Sequence, residues 1–246
     1  MTVTLTIREN HVAEIRLTAP ARRNALSFAT LEALVASIGE AERNGARSAI
    51  LSADGTVFSA GADFRDLTGT AADLSFDEAV GRATSSLRRS RLPIVAAIQG
   101  PCLGAAVDLA LSADIVVAAR SARFEVPATR LGLLYNPAVI ALLHRNYPSP
   151  AIKQLLLGVP ISAENAVTGG LIARAVDDDE LMATVNDIAA RIGAGDKDAV
   201  AATKELLTAL DAGPIKLEHW SGPRKRLLDS DARREAIERA RKTLSH

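Results

Sequence analysis

Pro93-Ile94-Val95-Ala96-Ala97-Ile98-Gln99-Gly100-Pro101-Cys102-Leu103-Gly104-Ala105-Ala106-Val107-Asp108-Leu109-Ala110 is the stretch on which the fold turns. Residues 94–98 form a short, wholly apolar run after a proline, which reads as a buried strand. Gly100-Pro101 breaks that strand, and small and apolar residues from Gly104 to Ser112 then read as a helix. A second apolar run, 114–119, follows as another strand. A strand, a break, a helix and a strand make a crossover unit, and such units build α/β sheets.

The same order appears upstream. Val3, Leu5 and Ile7 alternate with Thr2, Thr4, Thr6 and Arg8, which is strand period. Asn10 makes a turn, and Ala13, Ile15 and Leu17 alternate again, so the chain opens as a hairpin. Residues 20–24 form a loop. Ser27 is a candidate N-cap for a helix whose apolar face is Leu31, Leu34, Val35 and Ile38. Asn44-Gly45 ends that helix, residues 49–51 form a buried strand, and 75–91 is helical. After Pro148-Ser149-Pro150 the pattern changes. Segments 151–157, 162–168, 181–192, 199–210 and 215 onward read as helices, with one short strand near 173–176. Residues 1–150 are therefore expected to hold the sheet, and 151–246 to form a helical C-terminal region. Basic and acidic residues interleave at its end (Arg233, Arg234 and Arg239 with Asp231, Glu235 and Glu238), as on a solvated helix.

Composition narrows the function. The 246 residues carry 29 Lys plus Arg and 29 Asp plus Glu, so no overall charge favours nucleic acid or an anionic membrane. Hydrophobic residues make up 48% and aromatics 3%, so the core is aliphatic. Cys102 is the single cysteine, which excludes an intrachain disulfide and a cysteine-rich metal site. No apolar run approaches the ~20 residues of a membrane span. The N-terminus lacks a basic start followed by an apolar run, so no signal peptide is expected and a cytoplasmic location is.

The opening stretch has a companion, Val57-Phe58-Ser59-Ala60-Gly61-Ala62-Asp63-Phe64. Either alone is a small-residue turn that lets a helix pack close to a sheet. Together, in this order, they resemble the two signature segments of the crotonase (enoyl-CoA hydratase/isomerase) superfamily. Arg23-Asn24-Ala25-Leu26 matches the family's first loop, and residues 124–132, Pro160-Ile161-Ser162-Ala163-Glu164 and Gly169-Gly170-Leu171-Ile172 match its later landmarks, all in register. The resemblance implies the crotonase (ClpP-like) spiral of β-β-α units, with the C-terminal helices serving trimer contact and site closure. Partners are then an acyl-CoA substrate and other copies of the chain in a homotrimer or a hexamer of paired trimers. No metal and no cofactor beyond the coenzyme A of the substrate is implied.

In that family two backbone N–H groups hold the oxyanion of a thioester enolate. The matching positions are Ala62 and Ala105. Contacts to coenzyme A map onto Arg23, Ala25, Ala60, Gly61, Ala62 and Asp63, with Gly104 at the second segment; Arg22 or Arg23 could meet a phosphate. The departures matter as much. Of the two hydratase glutamates, the first maps onto Asp108, one methylene shorter, and the second onto Ala128, which moves no proton. A displacement near 1 Å can cost ~10²-fold in rate. Alanines stand at 105 and 106 where glycine is usual. Asn136 falls near the catalytic aspartate of some isomerases, as an amide. Tyr135 matches a tyrosine of the methylmalonyl-CoA decarboxylases, which carry histidine where this chain has Ala62. Asp108 lies on an apolar helix, where a carboxylate needs a partner or a raised pKa. His11, His144, His219 and His246 match no catalytic position.

Three functions follow, in this order: an enoyl-CoA hydratase/isomerase-type enzyme working through Asp108 alone, a methylmalonyl-CoA-type decarboxylase using Tyr135, and an acyl-CoA binder without catalysis.

Overall fold

The N-terminal alternation forms a hairpin, β1 (Val3–Ile7) antiparallel to β2 (Val12–Leu17), with Val3 opposite Leu17 and Leu5 opposite Ile15. The structure, a computed structural model, describes residues 2–147 and 149–244. Pro148, part of the boundary read above, and His246 lie outside the described residues. From β2 onward the pairing is parallel, through β3 (Ser48–Ala53), β4 (Ile94–Ile98), β6 (Ile115–Ala119) and β9 (Arg174–Val176). The other strands, β5 (Cys102–Leu103), β7 (Arg123–Glu125) and β8 (Ile161–Ser162), form a second sheet in the order β5-β7-β8. Strand pairs thus split: β4 and β6 enter the large sheet, while β5 and β7, a few residues on, enter the small one. This is the expected spiral of β-β-α units.

Parallel strands buried on both faces read as continuous apolar runs rather than alternating ones, which is why 94–98 and 115–119 looked alike in sequence. Successive side chains still point to opposite faces. Ile94, Ala96 and Ile98 join the core shared with α1 (Phe28–Arg43), α2 (Leu74–Arg89) and α3 (Ala105–Ala110). Val95 and Ala97 join a separate cluster under α7 (Leu181–Gly193), with Leu181, Val185 and Ala189. Ser27 caps α1, its hydroxyl accepting from the Thr30 N–H at 3.2 Å, as expected of that residue.

The C-terminal region does more than append helices. Its strand β9 extends the main sheet beside β6, and α7 covers one face of it. The helices α4 (Pro137–Asn146), α5 (Pro150–Leu156), α6 (Ala163–Thr168) and α8 (Lys197–Ala212) complete the packed part. From α8, Lys204 reaches into the core. Its ammonium donates to the Leu87 and Leu92 carbonyls at 3.0 and 2.7 Å and to Asp114 at 2.7 Å. Burial, the larger influence on each, raises the Asp114 pKa and lowers that of Lys204. The pair therefore offsets a desolvation cost rather than adding net stability. Beyond it, α9 (Ser221–Leu228) and α10 (Asp231–Leu244) bury no residue of their own, and α10 is exposed on every described side chain. Neither a membrane-length apolar helix nor a metal-competent cluster of His, Cys, Asp and Glu occurs among the described residues.

Replacing Lys204 with methionine leaves the Asp114 carboxylate without its counter-ion, holding the Ile94 N–H at 2.7 Å. It is expected to cost about 2–3 kcal/mol in urea unfolding, with part of the loss recovered in the Lys204→Met/Asp114→Asn double variant. A single-variant cost below about 0.5 kcal/mol would show that the pair does not anchor α8.

Candidate active site

Three chain segments are stitched together by backbone hydrogen bonds. Leu26 N–H donates to the Gly61 carbonyl at 2.8 Å, Asp63 N–H to the Leu26 carbonyl at 2.9 Å, and Ala60 N–H to the Arg23 carbonyl at 2.9 Å. On the other side, Leu103 N–H donates to the Ser59 carbonyl at 3.0 Å. The close approach needs Gly61, at φ +83°. A Cβ there would stand 2.5 Å from the Leu103 carbonyl oxygen and 3.5 Å from the Ala105 nitrogen. The loop leading in is bent at Arg23 and Asn24, both at φ +51°, a conformation uncommon outside glycine. Buried Asn24 holds that bend, donating to the Asp54 and Val57 carbonyls at 2.8 and 2.9 Å and accepting from Ala19 N–H.

This stitching uses the Gly61 carbonyl and the Asp63 N–H, and Gly61 N–H donates to the Ser59 hydroxyl at 3.2 Å within its own segment, while Ala62 N–H takes part in neither. Ala105 begins α3, where N–H groups have no partner within the helix, and its cap, Gly104, offers no side chain. Among the described residues neither N–H has an acceptor, and both alanines are only half-buried. The predicted donor pair is thus brought together and open. With six residues, α3 has little macrodipole, so attraction for an oxyanion rests on the N–H groups themselves.

One turn along α3 stands Asp108, 5% exposed. Tyr135 donates its hydroxyl to Asp108 Oδ2 at 2.7 Å, while Oδ1 is buried without a partner. Burial pushes the Asp108 carboxyl up to about 7, against the downward influence of the Tyr135 hydrogen bond and the Arg88 charge. Burial and the adjacent Asp108 hold the Tyr135 hydroxyl well above the usual tyrosine range, so it remains a proton donor. A carboxyl near 7 with one free oxygen can both take and return a proton at neutral pH.

Other predicted residues have different occupations. Asp63 is an internal hub, ion-paired with Arg22 and with Arg65 at 2.8 Å and held down to about 2, with the Arg65 side-chain hydrogen bond the main cause. Asn136 caps α4, accepting from Ala138 N–H at 2.9 Å. Ala25 and Ala60 are partly exposed beside the stitched loop, and the exposed Arg23 side chain makes no polar contact with a described residue. Ala128 is buried in the core at 4% exposure, so no carboxylate stands where a second would be needed. Cys102 is buried, and burial pushes its thiol pKa up, as for an inert core residue.

The sequence reading missed the groups that α2 supplies. Arg88 donates to the Ser112 hydroxyl and to Thr84 Oγ1, and Ser112 in turn donates to the Asp108 carbonyl at 2.6 Å. The charges of Arg88 and Asp77 both act on Asp108, the first lowering and the second raising its pKa. Asp77, Thr84 and Arg88 are seven and four residues apart, hence on one helix face, but Glu78, Arg82 and Arg89 elsewhere on α2 carry the same charges, so the sequence held no signal that singled them out.

A family model described as Enoyl-CoA hydratase/isomerase matches residues 7–236. Enoyl-CoA hydratase domain-containing protein 3, mitochondrial, of Rattus norvegicus is 34% identical over 207 residues, covering 82% of this chain and 69% of that protein. Methylmalonyl-CoA decarboxylase of Escherichia coli strain K12 is 28% identical over 236 residues, covering 93% of this chain and 90% of that protein. The crystal structure of human enoyl Coenzyme A hydratase domain-containing protein 3 superposes with a TM-score of 0.89 at 26% identity, over 99% of this chain and 98% of that one.

Asp108 carries a pH signature. An unfolded aspartate titrates near ~4 and this one near 7 when folded, so the unfolded chain releases its proton first as pH rises. Stability is lost between those values, at most ~1.4 kcal/mol per pH unit from this group. Asp108→Asn is expected to flatten that slope in unfolding curves taken from pH 4 to 8. Tyr135→Phe removes a hydrogen bond that favours the carboxylate, so the midpoint read by carbon NMR of the labelled side chain moves upward. A midpoint near 4 in the parent protein would contradict both.

Proposed function

Because the chain belongs to the enoyl-CoA hydratase/isomerase family, we propose that it binds an acyl-CoA thioester, stabilises its enolate and moves a proton with Asp108 as the single acid/base. One observation carries the reading. The free oxygen of a buried carboxyl titrating near neutrality lies one helical turn from an N–H group without an acceptor.

The chemistry follows from those positions. The thioester oxygen accepts from Ala62 and Ala105 N–H, which strengthens as negative charge develops on it. Ionised Asp108, steadied by Tyr135, takes a carbon-bound proton through Oδ1. The electron pair moves into the enolate, and protonated Asp108 returns the proton to another carbon of the conjugated system. A double bond has then shifted with no net gain or loss of atoms. Hydration also needs a water activated at the β-carbon, normally the work of a second carboxylate, and Ala128 supplies none. Isomerisation is therefore the favoured reaction of the pair. The resemblance implies a trimer, and we place its contact at the exposed α9–α10 tail.

Decarboxylation is the second reading, supported by the similarity to the Escherichia coli methylmalonyl-CoA decarboxylase and by Tyr135. Against it, the Tyr135 hydroxyl is already given to Asp108, and a substrate carboxylate beside Asp108 would meet like charge.

The test is mass spectrometry of crotonyl-, 3-hexenoyl- and methylmalonyl-CoA after incubation with the protein in D₂O. The expected result is a shifted double bond, with deuterium entering in the turnovers in which protonated Asp108 exchanges with solvent before returning its proton. Asp108→Asn should lower the rate by ~10²–10⁴-fold, and Ala62→Pro, which deletes a donor, by ~10²–10³-fold. Loss of CO₂ that survives Asp108→Asn would establish the decarboxylase instead. Tight binding with none of the three thioesters changed would leave an acyl-CoA binder.

A further inference from the structure

Beyond Asp108, further along α3, lies a cavity of about 290 Å³. Ala105, Asp108 and Ser112 sit three and seven residues along, hence on one face of the helix and the turn that continues it. At 1.5 Å per residue they span roughly 10 Å. The oxyanion donor is at one end of that face, the acid/base in the middle and the cavity at the other end. A thioester held at Ala105, with its next carbons passing Asp108, has the remainder of its acyl group directed along this face.

The cavity wall is mixed. Leu143 from α4 and Leu207 from α8 give it apolar surface for a carbon chain. Facing the same space are Thr84 and Arg88 from α2, Ser112, and Asp211 from α8. Arg88 spends two donors on Ser112 and Thr84 and has no carboxylate within ion-pair distance among the described residues. Asp211 is likewise outside any ion pair described. Nearby Asp114 is neutralised by Lys204. The unpaired groups are thus one cation and one anion, and Asp108 adds no positive charge. An anionic acyl end would find no surplus of positive charge, and an alkyl end would desolvate Arg88 and Asp211 without replacing their hydrogen bonds to water.

Resting on the acyl-CoA reading above, we propose that this cavity receives the far end of the acyl group and selects one bearing an uncharged oxygen function, a hydroxyl or oxo group. Such an end accepts from the free Arg88 N–H groups and, as a hydroxyl, donates to Asp211, while its carbons lie against Leu143 and Leu207. Arg88 then has two consequences: it reads the acyl end, and through Ser112 it helps position Asp108.

Three thioesters of equal length separate the possibilities: hexanoyl-CoA, 6-hydroxyhexanoyl-CoA and adipoyl-CoA, which end in a methyl, a hydroxyl and a carboxylate. Calorimetric titration of the full chain is expected to rank the hydroxylated thioester first, by about tenfold or more over hexanoyl-CoA. Arg88→Met should bring the two to within about twofold of each other. Asp211→Ala, at an exposed position of α8, removes the acceptor for the acyl hydroxyl; it should narrow the gap in part and serves should Arg88→Met not fold. Equal binding of all three, or first rank for hexanoyl-CoA or adipoyl-CoA, overturns the selection while leaving the acyl-CoA reading intact. Failure of all three and of coenzyme A itself to bind overturns both.

Discussion

Two backbone N–H groups without acceptors, those of Ala62 and Ala105, are the constraint around which this molecule is arranged. Unpaired backbone donors are costly wherever water is excluded, and the chain keeps these two open by committing their neighbours elsewhere. Leu26 and Asp63 pair across one side of the 57–64 segment, and Leu103 pairs with Ser59 on the other. Gly61 permits the contact because no Cβ fits beneath the Leu103 carbonyl. The left-handed Arg23 and Asn24, and the buried amide that holds them, secure the third segment. The spiral places each piece: strands of the large sheet lead into short strands of the small one, and the signature segments sit at those crossings.

The proposed chemistry also asks for a proton carrier that survives burial. An aspartate on an apolar helix is held near neutrality by opposing influences, burial and Asp77 raising its pKa, Tyr135 and Arg88 lowering it. None of these could be removed without moving the balance. The arrangement also accounts for Tyr135, which the resemblance matched to a tyrosine of the methylmalonyl-CoA decarboxylases. Its hydroxyl belongs to Asp108. The absence of a carboxylate at Ala128 is then consistent with chemistry that needs one proton carrier rather than two.

Much of this was legible in the sequence, for identifiable reasons. Apolar runs such as 94–98 and 115–119 are long enough and bounded sharply enough to read as buried strands, and Ser27 announces its helix. The donor positions came from the resemblance, because glycine and alanine in a turn show by themselves only where backbone approaches backbone. The short strands of the small sheet were not, since two or three residues such as Cys102–Leu103 carry no period. The share of the C-terminal region in the sheet was hidden behind the helical pattern on either side of Arg174–Val176. Arg88 and Asp77 were invisible as site residues because a charged side chain on a helix usually faces water, and only the packing of α2 against α3 turns theirs toward Asp108. Asp63 and Asn136, named from the resemblance, turn their functional groups inward, to ion pairs and a helix cap.

The most direct test of the account is a crystal structure with hexanoyl-CoA bound. It predicts the thioester oxygen about 2.7–3.1 Å from the nitrogens of both Ala62 and Ala105, with the α-carbon against Asp108 Oδ1. A thioester bound elsewhere, or with its oxygen reaching neither nitrogen, would contradict it.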